Sequence, residues 1–95
     1  GALPEGYSGT LVVALNRKGD LFFRNVAVTW NDLPRELEHA VAGYTNLLLV
    51  LQADRRASQE SITRVAAIAR AVGIHKTWLA TQPGLLETSV EAKTQ

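Results

Sequence analysis

Leu47-Leu48-Leu49-Val50-Leu51 is the longest unbroken run of large aliphatic residues in the chain, and it constrains the fold more than any other segment. The run shows no alternation. Asn46 and Asp54 bound it closely, so residues 46–53 have the length of a strand and not of a helix. Such a segment fits a strand covered on both faces, or at least a central one. It is far short of the roughly 20 apolar residues that a membrane helix needs.

The segments on either side supply partners for that strand. Residues 10–16 are β-branched and aliphatic, and residues 21–24 return after Arg17-Lys18-Gly19-Asp20, which predicts a β-hairpin with Gly19 at a positive φ. Val26 and Val28 continue the second strand briefly. The period then changes. Leu33, Leu37, Ala40, Val41 and Tyr44 recur at helical spacing and define one buried stripe. Asn31 as N-cap keeps Pro34 within the first turn, where a missing N–H costs little, and Gly43 is a natural stop. A second helix begins at Ser58. It carries Ile62, Val65, Ala66, Ala69 and Val72 inward and ends at Gly73 in the C′ position. Residues 74–81 form the last strand, which Pro83-Gly84 terminates.

The sum is an α+β fold: a small mixed β-sheet in the order β-β-α-β-α-β, with two helices packed on one face and a parallel crossover over residues 46–81. At 95 residues the chain has one core. Residues 1–9 read as a linker, 10–82 as the domain and 83–95 as a polar tail relieved by Leu85, Leu86 and Val90.

Composition excludes several kinds of function. Ten Lys plus Arg against nine Asp plus Glu give a formal charge of +1, without the basic stripe of a nucleic-acid binder. There is no Cys, which removes disulfides, thiolate metal sites and cysteine nucleophiles. There is also no Met, so the chain is expected to be processed or cut from a longer one.

Candidate chemistry is sparse. Lys18-Gly19 lacks both the Gly-rich loop and the helix of a phosphate site, and reads as a hairpin turn. His39 and His75 have no second ligand at metal spacing, so no metal or cofactor is expected. Ser58 and Ser61 lie outside any nucleophile elbow and read as capping residues. Asp54-Arg55-Arg56 occupies a more suggestive place, after the central strand and before a helix, where parallel α/β units bind ligands. Asp54 either organises that turn while Arg55 and Arg56 are solvated, or meets a partner. Trp78 alternates with Thr77 and Leu79. It belongs either to the core or to an exposed contact surface.

The second half of the chain, Leu49-Val50-Leu51-Gln52-Ala53-Asp54, a helix, and then Ala71 through Thr81, resembles the periplasmic domain of the ExbD/TolR family. That pattern is an apolar strand ending in Ala-Asp, a helix, and a Gly-led strand ending in Thr. The hairpin around Lys18-Gly19-Asp20 and the helix opening at Leu33 agree with it over about residues 10 to 82, and Leu3-Pro4 resembles the Leu-Pro of the family's linker. The resemblance implies a single-span inner-membrane parent protein whose N-terminal helix carries the proton-linked carboxylate. That helix would engage an ExbB/TolQ-like membrane partner. The periplasmic domain would be a homodimer that contacts a TonB/TolA-like protein and admits peptidoglycan as a further partner. The module would not be an enzyme.

Two other classes compete with this one. A small α/β ligand-binding domain would use the Asp54 crevice, and a hydrolase would need a nucleophile–base pair that the sequence does not present. Under the family reading, open sheet edges carry the contacts. The last strand has Lys76 as its single charge, so Ile74, Thr77, Trp78, Leu79 and Thr81 are the expected partner or dimer edge. Residues 10–16, with no charge, offer a second edge.

Overall fold

The computed structural model describes residues 6–84. Strands β1 (Gly9–Leu15), β2 (Leu21–Phe23) and β3 (Val26–Val28) precede helix α1 (Leu33–Val41). Strand β4 (Leu47–Asp54), helix α2 (Gln59–Ala71) and strand β5 (Lys76–Gln82) complete the order. The five strands form one mixed sheet in the spatial order β3-β2-β1-β4-β5. The β1–β2 and β2–β3 pairs are antiparallel, and β4 lies parallel to both β1 and β5.

The expected α+β architecture is present, with one strand more than the expected order. Residues 25–28 do not continue β2. Arg24 and Asn25 take φ values of 55° and 65°, and the chain reverses there into β3, with Phe23 opposite Val26. Two consecutive positive φ values make the two-residue turn whose twist suits a hairpin. The Arg24 guanidinium sits 4.9 Å from the Phe23 ring centroid. Asn-Gly is the usual sequence sign of such a turn. Arg-Asn hides it.

The first hairpin is closed by a side chain. Asn16 is buried, and its Oδ1 accepts the backbone N–H groups of Lys18 at 3.0 Å and Asp20 at 2.8 Å, while its Nδ2 donates to Asp20 Oδ2 at 3.0 Å. Asn16 therefore belongs to the connection and not to the strand, and it replaces the ladder with local hydrogen bonds. Gly19 adopts the expected positive φ, 89°.

Helix α1 starts one residue later than Asn31 would place it. Asp32 is its N-cap, Thr29 Oγ1 accepts the Asp32 N–H at 3.1 Å, and Pro34 stands in the first turn. Gly43, at φ 80°, stops it as expected, with Tyr44 N–H donating to Val41 O. Tyr44 thus lies past the helix and is exposed instead of joining the stripe. Ser58 caps α2 through a 3.1 Å bond from the Ser61 N–H. At the other end, Gly73 N–H donates to Arg70 O and Ile74 N–H to Ala69 O. These are the paired bonds of a Schellman motif, whose accompanying apolar contact joins the residue after the glycine to the last turn.

One core results. Val13, Leu15, Leu21, Phe23, Leu49 and Leu51 meet Leu33 and Leu37 of α1 and Val65 and Ala69 of α2. Both helices therefore cover the same side of the sheet. Strand β4 is interior, paired with β1 and β5, but only one of its faces is fully covered. On the second face Leu48 is buried, Val50 half-buried and Gln52 exposed. Strand β1 is not an edge. It is paired on both sides, along its whole length with β4, so its lack of charge reflects an interior position.

Candidate partner-binding edge

Strand β5 ends the sheet, and among the described residues it has β4 as its sole neighbour. The parallel register places Thr77 beside Leu49, Trp78 beside Val50, Leu79 beside Leu51 and Thr81 beside Ala53. Leu49, Leu51 and Ala53 are fully buried, so Thr77, Leu79 and Thr81 share their face at its uncovered margin. Leu79 is 50% exposed there, and Trp78, on the opposite face, 49%. Two large apolar side chains half in water on one edge strand are costly for an isolated domain and useful for an associating one.

Ile74 departs from its expected place. It precedes β5 and is buried in the core, where the Schellman motif at Gly73 turns it inward. It supports the edge from beneath and does not present itself to a partner. Sequence alone ran it into the strand because a β-branched residue next to a strand carries no mark of belonging to a helix terminus.

Trp78 continues a row that sequence reasoning missed. Val12, Val50 and Trp78 are direct register neighbours across β1, β4 and β5. Val12 is exposed and Val50 half-buried, on the side of the sheet away from both helices. The signal was present in the alternation of β1, where Val12 falls between the buried-face residues Leu11 and Val13. It was obscured by Val13 being equally apolar.

Asp54 does not line an open crevice. Its carboxylate is fully buried at the end of β4, where Oδ1 accepts the Arg56 N–H at 2.7 Å and lies 4.0 Å from Arg56 Nε. The Ala57 N–H donates to Asp54 O, and the Arg55 N–H bonds to Gln82 O of β5. Asp54 therefore organises the β4–α2 turn, whereas Arg55 and Arg56 are exposed.

Trp30 performs a comparable structural task at the same end of the sheet. Its Nε1–H donates to Gly19 O at 3.1 Å and the Arg64 guanidinium lies 4.5 Å from its ring, which ties the first hairpin to α2. Among the described residues no group of His, Asp and Glu could hold a metal ion, and no helix is long and apolar enough to cross a membrane. Leu3 and Pro4 lie outside the described residues.

These observations define an α+β module with both helices on one face of its sheet and a half-exposed apolar edge strand, β5. The family model of the biopolymer transport protein ExbD/TolR matches residues 7–84, and the chain belongs to that family. Its class is thereby that of biopolymer-transport, energy-transducing proteins, associated with the inner membrane and working with ExbB/TolQ and TonB/TolA partners. No curated protein matches the chain at a significant level.

Proposed function

We propose that this chain is the periplasmic domain of a proton-motive-force-driven stator protein of the inner membrane, and that it works as a homodimer in contact with a TonB- or TolA-like protein. In this reading the parent protein is anchored by a membrane helix that engages an ExbB/TolQ-like partner. The domain is the part that hands a mechanical state onward.

Family membership supports the class, and the open edge of β5 carries the mechanism. A strand with its outer backbone groups unpaired binds another extended segment through main-chain hydrogen bonds. Alternating side chains then select the segment. Thr77, Leu79 and Thr81 are the alternating set on one face and Trp78 is the anchor on the other. A two-fold dimer would use this strand twice, and exchange between a copy and a partner segment at one edge would couple dimer state to partner engagement. Modules of this kind act by binding, and no nucleophile or cofactor is assigned to it.

Site-specific photo-crosslinking in the membrane-anchored parent tests the reading. A photoreactive residue replacing Trp78 or Leu79 should trap either a second copy or a TonB/TolA-like protein. Crosslinks to neither from these positions, with dimer crosslinks from Arg17 or Glu38 instead, would move the interface elsewhere.

A further inference from the structure

The flank of β5 carries charge of one sign. A groove runs between α2 and the start of β5, bordered by Thr63, Ala66, Ala67 and Arg70 on the helix and by His75 and Lys76 where the chain turns into the strand. The helix residues are small, so the groove is left unfilled beside an edge that is itself unpaired among the described residues. No carboxylate borders it. Arg70, His75 and Lys76 are exposed, and the ion pairs between described side chains, Arg35 with Asp32 and Arg56 with Asp54, involve none of them. The groove along β3, at the far end of the sheet, has the contrasting rim: Asp32 and Glu36 border it together with Arg24.

We infer that the groove between α2 and β5 takes an extended acidic peptide segment, paired along β5, with its carboxylates against Arg70, His75 and Lys76. The inference rests on the reading of β5 as the partner edge and adds the chemistry of the partner. Two cations and an imidazole spread from a helix end to the start of a strand do not converge on a point, as a site for a small anion would. They line a path. Main-chain pairing along β5 supplies the affinity, and the sign of the charge decides which extended segment is accepted and in which position. The contrasting rims make the two sheet edges non-equivalent, so an acidic segment is steered to β5 and away from β3.

The test is an NMR titration of the ¹⁵N-labelled 95-residue protein with two acetylated peptides. One is Thr-Val-Asp-Val-Glu-Val-Thr, and the other has Lys in place of both acidic residues. The acidic peptide should shift the amides of residues 74–82 and 63–70, and its binding should weaken as salt is raised. The double variant Arg70→Glu/Lys76→Glu should bind it about tenfold more weakly, and Arg35→Glu should bind it unchanged. Arg70→Gln/Lys76→Gln repeats the comparison without placing an acid at the end of α2. If both peptides bind along β5 equally well, the charge inference is overturned while the edge reading stands. If neither moves the β5 amides, both are overturned.

Discussion

Leu51 and Leu79 stand beside each other across the parallel β4–β5 ladder, yet Leu51 is fully buried and Leu79 is 50% exposed. The same residue type, on the same face, at adjacent positions, meets two different solvents. Helix α2 meets the start of β5 near Thr77 and leaves Leu79 half in water. This contrast locates the boundary between what holds the domain together and what the domain offers to others.

Stability should follow that boundary. Leu51→Ala removes a side chain from the centre of the core and should cost about 2–5 kcal/mol. Leu79→Ala at the uncovered margin should cost less than about 1 kcal/mol. Urea unfolding at low protein concentration separates the two. Equal losses would show that β5 is covered in solution.

Asn16 should behave as a structural residue despite its polarity. It satisfies two backbone donors of the hairpin connection from a buried position. Asn16→Ala leaves those donors without their acceptor and should cost about 1–3 kcal/mol. Arg17→Ala, at the exposed neighbouring position, should change the melting temperature little. Similar small effects from both substitutions would remove Asn16 from the account of the turn.

Asp54 gives the clearest separation between a structural and a binding role. Asp54→Ala should lose about 1–3 kcal/mol, because the Arg56 N–H loses its charged acceptor at the β4–α2 turn. Partner or dimer affinity, compared at equal folded fraction, should be retained. Unchanged stability with lost affinity would restore the crevice as a site.

Gly73 holds the geometry that buries Ile74. At φ 100° it occupies backbone space that a side chain resists, and Gly73→Ala should destabilise the domain by about 1–2 kcal/mol. The loss should appear in thermal unfolding. A neutral substitution would mean that α2 can end without this turn.

The sheet and both helices were legible in the sequence because their periods are clean. The Leu47–Leu51 run reads as a central strand. Ser58 and Gly73 mark α2 at both ends with residues whose chemistry leaves few other uses. Less legible were features set by tertiary position. Arg24-Asn25 makes a tight turn without glycine, so β3 was read as a continuation of β2. Ile74 looks like a strand residue until the hydrogen bonds of the helix terminus are seen. Strand β1 looks like an exposed edge from its lack of charge, yet β4, more than 30 residues away in sequence, pairs along its whole length. Strand order depends on such distant pairings, which local pattern does not encode. For Trp78 the alternation was right, but whether its face was covered depended on where the helices packed. The Asp54 turn was one of two readings open from sequence, and the bond from the Arg56 N–H supports it.

Association through β5 is the central claim, and sedimentation of the 95-residue protein at tens of micromolar tests it most directly. Wild type should sediment as a dimer, and Leu79→Pro, checked to be folded by circular dichroism, should sediment as a monomer because proline removes a strand N–H and disrupts the edge. A wild type that remains monomeric at high concentration, or a folded proline variant that dimerises as well as wild type, would contradict the account.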